Sequence, residues 1–392
     1  MKTRVPELDG IRGMAILLVL IWHFVVGPIG ETSSLLLRFL SRSGMQTWSG
    51  VDLFFVLSGF LIGGILVDAK GSDSYFRTFY IRRVFRILPI YVLICGGYFA
   101  LRAAFPGTIN GAYISAMPGY VYAAFLQNFW LAHHPWNTFL DQSWSLAVEE
   151  QFYLTLPAII WFTPRRHLWK LITTLAVASV AVRTSCYLHY YPAWKSAAYT
   201  LVICRADALL LGVLAALAVR NERTLAFLAM RKDLLRGVAL VCCAVIAAMT
   251  LKGWGMLSTA MSTVGYTCTA LMYVSVLLMT VTAPASAWGS LFRMGWLRWL
   301  GTIAYCLYLV HLDVLAIVYR WFGYTQPRLW HWYDLFPLLT ALACALLISH
   351  FSWMFFESRM VSIGHRFTYR RATEARLPAS RGTELTSQAV AQ

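Results

Sequence analysis

His23 sits deep in an apolar run, RVPELDGIRGMAILLVLIWHF, that extends from Arg4 to Phe24. An imidazole partly withdrawn from water stays neutral near pH 7 and is a competent general base. Arg12 lies eleven residues before it, with Asp9 at the mouth of the same run. On a helix that offset is about 1100°, roughly 20° from three whole turns, and about 16 Å along the axis. Base and guanidinium therefore share one helix face. A second basic group, in YIRRVFRILPIY, ends the loop after the second apolar run and supplies Arg82, Arg83 and Arg86. Guanidinium forks match phosphate in charge and geometry. A coenzyme A thioester has phosphates at one end and a reactive acyl group at the other. Held by Arg12 and the Arg82–Arg86 cluster, it would lie along the first helix and present its thioester near His23.

Further ionisable side chains lie inside apolar runs: Asp52, Glu149, Glu150, Arg205, Asp207 and His311. Such groups are costly in hydrocarbon and face a cavity or a partner. Counted by depth, they and His23 occupy the half of the membrane opposite the arginine cluster, on five runs, which allows one shared polar chamber. Each also has a plainer reading. The arginines can enforce topology or touch anionic lipid. Either histidine can be a helix–helix hydrogen bond, Glu149 or Glu150 a structural partner of Arg205, and Asp52 a helix cap. Their combination favours chemistry, with phosphate-seeking groups on one side, acid–base groups on the other, and one helix face joining them.

The elements that must position these residues are membrane helices. Of 392 residues, 59% are hydrophobic and 13% charged, with a mean hydropathy of +0.61. A soluble domain is about half apolar and a quarter charged. Ten apolar runs of spanning length are read at 9–28, 50–67, 87–105, 145–162, 168–188, 198–219, 237–251, 259–283, 299–320 and 335–356. The net charge of +16 is spread over short loops, which argues against nucleic acid. Alternate loops hold 24 of the 33 basic residues and the opposite loops 8, which puts both termini in the cytoplasm. The stretch 113–131, with Pro118 and Gly119, reads as re-entrant or interfacial, because an eleventh crossing would spoil that bias. Lys2 and Arg4 before an apolar run resemble a signal peptide, but no small-residue cleavage site follows, so the run is read as a retained span. The eight cysteines show neither CxxC nor zinc-like spacing, and no metal site is expected. Ser58, Gly59, Gly63 and Gly64 form a small-residue face for close helix contact. The reading is an all-α polytopic membrane domain over 1–366, followed by a basic, disordered cytoplasmic tail over 367–392.

In sequence order, LDGIRGMAILLVLIWHF, GVDLFFVLSGFLIGGIL, YIRRVFRILPIY, DQSWSLAVEEQFYL, RADALLLGVLAAL, LGTIAYCLYLVHL and FFESR together resemble the acyltransferase family 3 membrane proteins, over nearly all of residues 4–360. Those bacterial enzymes O-acylate sugars of envelope and exported glycans. The resemblance implies that His23 is the catalytic residue, on an Arg-x10-His pattern with Arg12. It assigns Arg83 and Arg86, on an Arg-x-x-Arg pattern, to the acyl-CoA donor, and places an acidic motif on Glu149 and Glu150. It implies acyl transfer, acetyl by preference, from CoA to a carbohydrate or glycolipid hydroxyl in the bacterial inner membrane, without metal. Asp9, Asp52, Ser58, Arg205, Asp207, Tyr305 and His311 would line the chamber. The FFESR motif lacks the family's usual following proline, and no fused hydrolase-like domain is expected from this reading. The competing readings are a multi-span transporter or flippase, against which no inverted repeat stands out, and an acyl carrier that feeds a separate enzyme. Oligomeric state is not legible.

Overall fold

The computed structural model describes residues 5–29, 34–104, 117–136, 139–190 and 195–369, and every regular element among them is helical. Ten long helices organise the described residues: α1 (Pro6–Ile29), α2 (Gly50–Ala69), α3 (Tyr75–Ala104), α4 (Trp144–Phe162), α5 (Arg165–Tyr190), α6 (Val202–Ala218), α7 (Lys232–Leu251), α8 (Met261–Thr282), α9 (Gly295–Trp321) and α10 (Leu335–Ser352). Among the described residues nine, α1–α3 and α5–α10, are long and apolar enough to cross a membrane, some together with a flanking short helix. The tenth, α4, has 19 residues, but Glu149, Glu150 and Gln151 dilute its apolar character.

Three expected boundaries move. α3 starts at Tyr75 rather than near 87, so the arginines lie inside a helix and not in a loop. Arginine is a good helix former, and Pro89 is accommodated without ending the helix. α7 begins at Lys232 rather than 237. α10 continues through a π turn, Trp353–Glu357, into a helix Ser358–His365. Of the 113–131 stretch, residues 113–116 fall outside the described residues. Beyond them lie two short helices, Gly119–Ala123 and Gln127–His133, neither long enough to cross. Most of the expected disordered tail, from 370 on, is likewise outside the described residues.

Two parallel helix pairs place the polar side chains. α1 packs on α9 through Gly13 and Gly301. A Cβ at Gly13 would collide with the Leu297 carbonyl, and one at Gly301 with the Asp9 carbonyl. Ten residues beyond each glycine, His23 meets His311. Equal offsets mean that the two helices run in the same direction, with the meeting point about 15 Å along the axis. α2 packs on α6 in the same way, where a Cβ at Gly59 would strike the Leu209 carbonyl and one at Gly212 the Val56 carbonyl. Of the expected small-residue face of α2, Gly59 and Gly63 make this contact, whereas Gly64 meets Arg220 and Ser58 bonds Tyr153 on α4. Ion pairs stand at both ends, Asp52–Arg205 and Asp68–Arg220, at near-constant sequence separations of 153 and 152, so these helices are parallel too.

Candidate active site

α1 changes from α to π geometry over Trp22–Val26, and single π turns inside helices recur at functional sites. His23 sits in that turn. Its Nδ1 lies 3.0 Å from the Val19 carbonyl oxygen and 3.2 Å from His311 Nε2. His311 Nδ1 lies 2.8 Å from the Tyr308 carbonyl oxygen and 3.1 Å from that of Leu307. A carbonyl only accepts, so His311 Nδ1 carries the proton and its Nε2 offers a lone pair. His23 Nδ1–H then donates to Val19 and His311. The remaining ring nitrogen, His23 Nε2, keeps a lone pair and is the basic atom of the pair. Tyr308, whose ring centroid is 5.8 Å from that of His311, donates to the Gln142 carbonyl at 2.8 Å and lies 2.6 Å from Ser145 Oγ. Gln142 in turn donates to Asp313 at 3.1 Å. These bonds tie α9 to the start of α4.

The acidic pair lies within electrostatic reach of Arg83, and Glu149 also of Arg12, whereas their positions in sequence had suggested opposite sides. Arg83 is carried inward on α3, with its guanidinium 5.8 Å from the Tyr153 ring and 6.0 Å from Phe79. Tyr153 Oη donates to Glu149 at 2.9 Å and is also bonded to Ser58. Glu149 lies within electrostatic reach of Arg83 and Arg12. Arg86, over the Trp353 ring at 5.9 Å, lies within reach of Arg12, Arg83 and Glu357. Arg12 pairs with Asp9 at 3.1 Å. Arg83 Nε and Glu150 Oε1 are buried without a hydrogen-bond partner among the described residues. Tyr305 donates to the Ile87 carbonyl at 2.9 Å and joins α9 to α3. Arg82 is differently engaged. Its Nε donates to the Phe367 carbonyl at 2.8 Å, and its guanidinium lies 5.2 Å from the Tyr369 ring. Burial raises the Tyr369 hydroxyl above its ordinary range, against the opposing charge of Arg82.

A third group surrounds α6. Arg205 pairs with Asp52, and its guanidinium lies over Tyr266 at 4.1 Å. Asp207 pairs with Arg183 at 2.8 Å. Arg183 lies within the expected run 168–188 but was not singled out as a site residue, and it is fully buried. Sequence reasoning also missed Tyr153 and Tyr308, because tyrosines in a membrane chain read as interfacial belts. The Glu149-to-Tyr153 spacing of four residues was the signal that could have found the first. No group of three metal-ligating side chains is present among the described residues.

A family described as acyltransferase domain matches residues 5–350. The chain is 27% identical over 375 residues to the peptidoglycan O-acetyltransferase OatA of Listeria monocytogenes, covering 90% of this chain and 55% of that protein. It is 26% identical over 412 residues to a putative peptidoglycan O-acetyltransferase, YrhL, of Bacillus subtilis, covering 98% and 59%. It is 26% identical over 388 residues to the O-acetyltransferase OatA of Staphylococcus aureus, covering 90% and 56%. The chain thus spans somewhat more than half the length of the curated relatives it matches. No solved structure matches it.

Proposed function

Because the chain belongs to the acyltransferase domain family, we propose that it is a bacterial inner-membrane O-acyltransferase, moving an acetyl group from cytosolic acetyl-CoA to a hydroxyl of a sugar or glycan. The observation that carries this reading is the arrangement of His23, whose Nδ1 is held by Val19 and His311 while Nε2 is left basic. The acceptor oxygen attacks the thioester carbon as Nε2 takes the hydroxyl proton. The carbon–sulfur bond breaks, and the proton passes from the imidazolium to the departing thiolate. His311 Nε2 and the Val19 carbonyl hold Nδ1–H throughout, so the positive charge that builds on His23 has acceptors already in place.

Arg12, Arg83 and Arg86 receive the CoA phosphates, and the buried, unpartnered Nε of Arg83 suits an anion in that chamber. Glu149, fixed by Tyr153, orients Arg83. Glu150 keeps an open carboxylate oxygen beside Arg83. Arg82, engaged with Phe367 and Tyr369, holds the end of α3. Both termini face the cytoplasm, by the charge bias of the loops, so donor and acceptor enter from opposite faces.

Removing a general base costs about 10²- to 10⁴-fold in rate. His23→Ala protein, assayed with labelled acetyl-CoA and a glycan acceptor, should lose at least about a hundredfold in transfer; full activity in this variant overturns the assignment. Incubation with labelled acetyl-CoA and no acceptor distinguishes direct attack from a covalent route, since only an acyl-histidine intermediate leaves label on the protein.

A further inference from the structure

We infer that the Asp52–Arg205 pair and the aromatic rings around it form the subsite for the acceptor's sugar ring, an inference that rests on the acyltransferase reading for its role in turnover. Both residues are fully buried, and one Arg205 nitrogen, Nη2, donates to one Asp52 oxygen, Oδ1. The other polar atoms, Arg205 Nε and Nη1 and Asp52 Oδ2, are buried with no hydrogen-bond partner among the described residues. Buried polar groups are rarely left so, and three on one ion pair point to a missing ligand. The neighbouring pair, Arg183–Asp207, shows what saturation looks like in the same helix packing, because protein groups engage every nitrogen of that guanidinium.

The chemistry of the open atoms selects the ligand class. Carboxylate and guanidinium together are neutral, and Asp52 would repel a bound anion. Two open donors beside one open acceptor suit neighbouring hydroxyls, one donating to Asp52 Oδ2 and the next accepting from Arg205. The surroundings suit a pyranose, whose C–H face packs on aromatic rings. The Arg205 guanidinium lies 4.1 Å from the Tyr266 ring and 5.4 Å from Tyr199. Tyr199 lies 4.6 Å from Trp144 and 6.0 Å from Trp136. Trp136 is 37% exposed, so the rings lead from the surface to the buried pair. The subsite also adjoins the proposed base. Ser145, the residue after Trp144, contacts Tyr308, which packs beside His311.

Binding and turnover are measured separately. The purified protein, in a detergent without a sugar headgroup, is titrated with an N-acetylglucosamine tetramer while tryptophan fluorescence is followed. Acetyl transfer from labelled acetyl-CoA to the same tetramer is then assayed. Asp52→Asn and Trp136→Ala should each weaken tetramer binding at least tenfold, with thermal midpoints retained for the exposed Trp136 site. Arg236→Ala, at an exposed pair on α7, should bind as the wild type does. Absence of saturable binding by the wild type, or binding within twofold in both variants, overturns the subsite. Variant-sensitive binding without any acetyl transfer keeps the subsite and overturns the acyltransferase reading. Transfer with variant-insensitive binding does the reverse.

Discussion

α6 carries two buried ion pairs on opposite sides. Arg205 reaches Asp52 on α2, and Asp207, two residues on, reaches Arg183 on α5. Their burial is the same, but their surroundings differ. Arg183 donates to the carbonyls of Ser262 and Cys204, to Asp207 and to Thr267 at 2.7–2.8 Å. Asp207 also accepts from Thr267, and its backbone N–H donates to Ser179. Arg205 has one bond, to Asp52, and otherwise faces aromatic rings. Charge taken out of water is tolerated only when paired and hydrogen-bonded. Burial by itself therefore does not separate a structural brace from a binding group, whereas the number of donors left open does.

The largest test of this contrast compares two truncations. Arg183→Met removes four hydrogen bonds and leaves the Asp207 carboxylate its bond from Thr267 but no opposite charge on α5; breaking such a pair costs about 3–5 kcal/mol. Arg205→Met removes one bond and strands Asp52. At about 1 kcal/mol for each additional bond, the first variant should be the less stable by roughly 2–3 kcal/mol. Thermal or denaturant unfolding in detergent measures the difference. Equal losses would erase the distinction between brace and site.

An intermediate effect is expected where the pair on α2 and α6 is held at its short range. The backbones approach so closely at Gly212 and Gly59 that a Cβ at either would meet a carbonyl of the facing helix. Gly212→Val forces α6 away from α2 and should cost about 1–3 kcal/mol, as overpacking does. It should also separate Arg205 from Asp52 while leaving Arg183–Asp207, on the other face, in place. Acceptor affinity falling further than stability is the outcome that sharpens the contrast; a matching fall in both shows only a loosened bundle.

Most of the helix count was legible in the sequence because a bilayer demands long apolar runs: among the described residues nine of the ten expected runs correspond to helices long and apolar enough to cross, and the tenth to the more polar, 19-residue α4. The start of α3 was not, because charge was read as a loop signal while Arg77, Arg82, Arg83 and Arg86 are also good helix formers. The expectation that Arg12 and His23 share a face followed from helical periodicity alone. The meeting of His23 with His311 did not, since it depends on Gly13 and Gly301 letting α1 and α9 approach, and nothing local to either helix names its partner. The π turn at His23 was equally hidden, because α and π geometry draw on the same apolar side chains. Arg183 shows a further failure. It lies inside the expected run 168–188 but was not singled out there, and only the arrival of Asp207, Thr267 and two carbonyls explains its full burial.

The smallest effect belongs to the far end of the same two helices. Arg220 holds Asp68 through Nε at 2.8 Å and Nη2 at 2.9 Å, in the bidentate geometry that the buried pair lacks. These side chains are 28% and 37% exposed, and solvent-exposed pairs contribute about 0–1 kcal/mol. Arg220→Gln should therefore lower stability by less than about 1 kcal/mol, and raising the salt concentration should remove most of that loss, because exposed charges are screened within about a Debye length. Asp52→Asn, with its partner sealed from solvent, should show a loss that salt does not change. Unfolding both variants at low and high ionic strength sets the two ends of α2 and α6 against each other. A salt-dependent loss at Asp52 would place that pair in contact with bulk water, and would undercut the reading of its open donors as awaiting a ligand.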